Sequence, residues 1–79
     1  MERHNRCFGR VLRRLRRDLH LSQNDLAVQV GLDRTYISLL ELGRRSPTLD
    51  TIVSLAAALK MSLSGLFSEL EIEIARDTD

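Results

Sequence analysis

Tryptophan is absent from this 79-residue chain, and cysteine, proline and tyrosine occur once each. With Cys7 alone, no intramolecular disulfide can form, which excludes a secreted scaffold stapled by cystines and favours a reducing cytoplasm. No Cys/His pair has metal-ligand spacing, and there is no glycine-rich phosphate loop and no nucleophile/base set, so no metal, cofactor or catalytic machinery is expected. Long apolar runs are missing too. None approaches the ~18 residues that cross a bilayer, and the N-terminus opens on Glu2, Arg3, Arg6 and Arg10 rather than on a leader. The chain is expected to be cytoplasmic, neither exported nor membrane-spanning.

The length suits one domain over residues 1–79, near the size at which a single core is only marginally stabilising. Net charge is +1, yet the charges are unevenly placed. Residues 1–20 carry seven Arg against Glu2 and Asp18, whereas residues 66–79 carry Arg76 against five acids. Such polarisation hints at a polyanionic partner without naming one.

Hydrophobic periodicity and punctuation predict five short helices and no repeat. Over 6–19, Phe8, Val11, Leu12, Leu15 and Leu19 share one face, opposite a stripe of Arg3, Arg6, Arg10, Arg13, Arg14 and Arg17. Ser22, with Asp25 three residues on, opens a second helix to about Val30 in a near capping box. Gly31 offers a residue tolerant of positive φ, Leu32 an apolar plug, and Asp33 an N-cap for a third helix that Gly43 ends. Two short helices joined by about three residues, over 22–42, have the spacing of a helix-turn-helix unit. A fourth helix, 49–59, follows Ser46/Pro47/Thr48 and is expected to bury Leu49, Ile52, Val53, Leu55, Ala56 and Leu59. Ser62 caps a fifth, whose ELEIEI (69–74) reads as helix through the stripe Leu63, Leu66, Phe67, Leu70 and Ile74, and as strand through its strict alternation. Glutamate is depleted in strands, which favours helix.

The third helix carries an unusual first turn. On a helical wheel Ile37, Leu40 and Tyr36 face inward, while Arg34, Thr35, Ser38 and Leu39 lie outward. A guanidinium can bond guanine O6 and N7 together in the major groove, a contact giving ~1–3 kcal/mol of base discrimination. Thr35, Ser38 and Leu39 add hydroxyl contacts or touch a thymine methyl. Alone, these would be ordinary surface residues; two capped helices around a Gly turn, beside a basic N-terminal half, favour a DNA-reading role.

The run LSQNDLAVQVGLDRTYISLLELGRRSPTLDTIVSLAAAL (21–59) resembles the Cro/C1-type (XRE) helix-turn-helix family of bacterial and phage transcriptional regulators. The resemblance rests on SQ opening a helix, LA within it, Gly31 at the turn, YIS, and E-x-G-x-R-x-P. Its GLDRTYIS string is especially similar to the controller proteins of restriction-modification systems. The resemblance implies an all-α, five-helix, lambda-repressor-like domain that binds double-stranded DNA in a bacterial, phage or plasmid setting. By position, Gln23 and Tyr36 would meet phosphates, as would Arg44, Arg45, Ser46 and Thr48 from the other side. Arg34, Thr35, Ser38 and Leu39 would face base edges.

Combining wheel and resemblance predicts a largely buried ion pair. Arg16 lies off the arginine stripe at the border of the apolar face, Glu41 borders Ile37, and family members often pair an arginine and a glutamate there. The family commonly has Gly at position 20, here His20, which would be strained by roughly 1 kcal/mol if φ is positive. His20 otherwise reads as a solvated loop residue, Cys7 as a small core residue, and the arginine stripe chiefly as a solvated, steering face.

One reading helix contacts few base pairs, so a homodimer on half-sites about one DNA turn apart is expected. Residues 62–79 are the candidate interface, with Leu70, Ile72 and Ile74 in contact, as helices or as edge-paired strands. Occupying a pseudo-palindrome near a promoter would block RNA polymerase or recruit it by contact, the protein's own operon included. The rival classes are an antitoxin or other protein-interaction module on the same fold, for which little sequence remains.

Overall fold

The computed structural model describes residues 2–77, and over them the chain is five helices with no strand. α1 spans Glu2–Asp18, α2 Gln23–Val30, α3 Arg34–Glu41, α4 Leu49–Ala58 and α5 Leu63–Arg76. One core joins them: Phe8, Val11 and Leu12 of α1 meet Leu26 of α2, Ile37 and Leu40 of α3, Leu55 of α4 and Leu66 of α5.

Four helix ends close in the same way. His20, Gly31, Gly43 and Lys60 all adopt positive φ, between 58° and 75°. The N–H of the next residue then returns to a carbonyl five residues back: Leu21 to Arg16, Leu32 to Ala27, Arg44 to Leu39 and Met61 to Ala56. In three of these turns an apolar residue follows and an N-cap comes next: Leu21/Ser22, Leu32/Asp33 and Met61/Ser62. After Gly43 the slot holds Arg44, and the chain leaves the core for a longer loop to Thr48. His20 and Lys60 occupy the left-handed region without glycine's freedom.

Ser22 and Asp25 form a complete reciprocal capping box, each bond 2.9 Å. Acceptance of the Ser22 backbone N–H, then of its hydroxyl, holds the Asp25 carboxyl below its ordinary pKa. That depressed value makes the box a contribution present above the unfolded aspartate pKa of ~3.9 and lost as pH falls through the lower folded value. Asp33 holds the N-cap position of α3 without a side-chain cap bond, contrary to its expected capping role.

Several expectations are corrected. α1 begins four residues earlier than the apolar stripe suggested. Leu49 and Val53, expected inside, are exposed on α4, as are Leu63 and Phe67 on α5. The 69–74 segment, by contrast, is helical throughout, the reading its glutamates favoured. Helical spacing sets Glu69, Glu73 and Asp77 one turn apart, where Arg14, Arg10 and Arg3 of α1 meet them at 2.7, 2.7 and 3.0 Å. A strand would also carry these acids on one face, but about 13 Å apart rather than about 6 Å, out of step with Arg14 and Arg10 one helical turn apart on α1. Much of the basic stripe is thus neutralised by the acidic C-terminal helix, which removes most of the charge polarity read from the sequence. Arg3 also donates to the Ile74 and Asp77 carbonyls, capping the end of α5.

Candidate nucleic-acid interface

α3 is positioned from beneath by a close approach and by a buried ion pair. At Gly9 of α1 an added Cβ would stand 2.5 Å from the Leu40 carbonyl oxygen and nearer still to that of Glu41, so only glycine lets α1 cross the end of α3 here. About two turns further along α1, Arg16 grips Glu41 through Nε to Oε2 at 2.6 Å and Nη2 to Oε1 at 3.0 Å. The two side chains are 10% and 4% exposed. The Glu41 hydrogen bond raises the Arg16 pKa, against the opposing effect of burial. Arg16 Nη1 also donates to the Leu21 carbonyl, so one guanidinium joins α1, the turn into α2, and α3.

With its inner side so fixed, α3 presents Arg34 and Thr35 exposed and Ser38 and Leu39 half-exposed, while Ile37 and Leu40 are buried. Tyr36 is half-buried against the core. The Arg45 guanidinium lies 5.8 Å from its ring centroid, a cation–π contact that links α3 to the following loop.

The expected phosphate contacts divide into free and engaged groups. Arg44 and Arg45 are exposed. Gln23 is half-buried and its Nε2 donates to Glu41 Oε1 at 3.0 Å, so its amide belongs to the Arg16–Glu41 network, which the sequence did not suggest. Thr48 caps α4: its hydroxyl accepts from the Thr51 N–H at 3.1 Å and donates to Thr51 Oγ1 at 2.9 Å. Ser46 accepts a 2.7 Å bond from Asn5 Nδ2. Asn5, Gly9 and Lys60 went unnoticed in the sequence. Gly9, a poor helix former between two apolar helical positions, was the readable signal.

On α5, Leu70 packs half-buried against the core and Ile74 is half-buried beside Arg3, whereas Ile72 is 47% exposed. Cys7 is fully buried beneath the α1–α5 ion pairs, with Sγ 3.7 Å from Asp77 Oδ2; burial first, then the Asp77 charge, push its thiol pKa up. Among the described residues no group of His, Cys, Asp and Glu could hold a metal ion, and no single helix is long and apolar enough to cross a membrane.

The helix-turn-helix family profile matches residues 12–66, more than half of the chain. This chain belongs to the helix-turn-helix family. Within it, the chain is 43% identical over 67 residues to a control protein, C.MunI, of Mycoplasma sp, covering 84% of this chain and 90% of that protein. Its fold is similar to the restriction-modification controller protein C.AhdI from Aeromonas hydrophila, with TM-score 0.77 and 43% identity over 80% of this chain and 96% of that one. The controller protein C.Esp1396I, solved as a tetramer on its natural 35 base-pair operator, superposes with TM-score 0.85 at 30% identity, over 92% and 96% of the two chains. Family membership agrees with a DNA-binding regulator rather than an enzyme.

Proposed function

We propose that the chain is a sequence-specific DNA-binding transcriptional regulator of the restriction-modification controller type, acting in the cytoplasm as a homodimer on a pseudo-palindromic operator. The observation that carries this reading is the two-sidedness of α3: Ile37 and Leu40 buried, Glu41 held by Arg16, and Arg34 and Thr35 turned to solvent beside Arg44 and Arg45. Arg34, Thr35, Ser38 and Leu39 read base edges in the major groove. Gln23, through the amide proton that Glu41 does not take, and Tyr36 meet phosphates on one side of the groove, and Arg44, Arg45 and Ser46, with Thr48 through its backbone N–H, on the other. The similarity to C.MunI and C.AhdI over most of each chain supports the controller assignment.

The homodimer forms through the C-terminal helix. Ile72 and the uncovered flanks of Leu70 and Ile74 contribute, joined by Phe67 and Leu63 one turn apart on α5 and by Leu49 and Val53 one turn apart on α4. Surface Leu, Val and Phe in i,i+4 pairs on two successive helices are costly to leave in water for so small a domain. The dimer represses or activates by position, blocking RNA polymerase or recruiting it at a promoter, its own operon included.

Selection from a randomised duplex library with the purified chain tests the reading. Enrichment of two related half-sites about 10 bp apart, centre to centre, is expected. Failure to enrich any sequence over the starting pool contradicts it.

A further inference from the structure

The first two turns of α1 carry a side chain that none of the roles above uses. Asn5 Nδ2 donates to Ser46 Oγ at 2.7 Å across 41 residues of sequence. The backbone around this bond is held on both sides. At Gly43, where φ is +75°, an added Cβ would fall 2.8 Å from Arg6 Cα, so the loop leaves α3 pressed against the same turn of α1. Two residues before Asn5, Arg3 ties that turn to the end of α5.

We infer that Asn5 is a positioning residue for the α3–α4 loop, fixing the Ser46 hydroxyl as a hydrogen-bond donor to a DNA phosphate. The inference rests on the DNA-binding reading above. A serine hydroxyl has one proton to give and two lone pairs. Asn5 occupies an acceptor lobe, and among the described residues no protein acceptor takes the Ser46 proton. An exposed O–H between Arg44/Arg45 and Thr48 is thereby turned outward, where a phosphate oxygen has only acceptor capacity to offer.

The test measures binding of the full chain to the selected duplex and to a mixed-sequence duplex, with thermal stability followed in parallel. Asn5→Ala and Ser46→Ala are each expected to weaken both duplexes alike, by about 3- to 10-fold, and the double variant no more than either single one. Asn5→Asp keeps a bond to Ser46 but reverses it, since the carboxylate accepts the serine proton. It should therefore weaken binding more in the Ser46 chain than in the Ser46→Ala chain, where only its charge acts. Additive losses, or Asn5→Ala binding at the parental level while Ser46→Ala binds weakly, overturn the link between the two residues. Parental binding by Ser46→Ala and Arg44→Ala together overturns the phosphate-loop reading itself, and this inference with it.

Discussion

Gln23 and Arg16 converge on one carboxylate oxygen: Glu41 Oε1 accepts from Gln23 Nε2 and from Arg16 Nη2, each at 3.0 Å. The ion pair therefore links three helices rather than two. Because the Arg16 and Glu41 side chains are almost wholly shielded from water, removal of one leaves the other charged and unpaired. Arg16→Ala should cost about 3–5 kcal/mol in urea denaturation. Arg13→Ala, on the exposed side of α1, should lie within about 0.5 kcal/mol of the parent. The reverse order would refute the structural role of the pair.

The crossing of α1 over α3 predicts a second stability effect. Gly9→Ala improves helix propensity by about 1 kcal/mol, yet its methyl meets two backbone carbonyl oxygens that cannot move aside independently. Net destabilisation is expected, by roughly 1–3 kcal/mol as in other overpacked sites. A rise in Tm would show that α1 and α3 can separate without loss.

At the two strained helix ends glycine should help. His20→Gly and Lys60→Gly place a residue without a Cβ at φ near +58° and +59°, and each should stabilise by about 0.4–1 kcal/mol in the same denaturation experiment. A loss of stability in both would mean that the side chains make contacts outweighing the backbone strain.

How much of this was legible follows from which residues carried which signal. The helix-turn-helix unit could be read because Ser22, Gly31 and Gly43 are the usual residues for their backbone conformations. The turn of the same kind at Lys60 was missed because lysine does not advertise positive φ. Arg16 and Glu41 were legible as charges at the edges of apolar faces. The α1–α5 ion pairs were not: the acidic and basic runs lie more than 50 residues apart, and periodicity assigns a face but not the neighbour it meets. For the same reason Leu49 and Val53 were assigned to the core. An apolar face facing a partner and one facing the interior have the same pattern.

The exposed apolar side chains make the dimer testable. Ile72→Glu or Phe67→Glu puts a charge where burial in the homodimer is proposed, and either should shift the chain from dimer to monomer in sedimentation equilibrium, while far-UV circular dichroism stays that of the parent. Deletion of residues 70–79 should also give monomers, with a helical signal reduced by the half of α5 that is removed. Dimers persisting in all three would exclude the C-terminal helix as the interface.

The division of labour between Arg34 and the Arg44/Arg45 pair is the central claim. Its most direct test is the salt dependence of binding to the selected duplex and to a mixed-sequence duplex, measured for the parent, Arg34→Ala and Arg44→Ala. Arg34→Ala should lose about 1–3 kcal/mol of the preference for the selected duplex with the salt slope nearly unchanged. Arg44→Ala should weaken both duplexes together and flatten the slope of log K against log salt by about 0.9. Equal losses of preference and slope in the two variants would contradict the account.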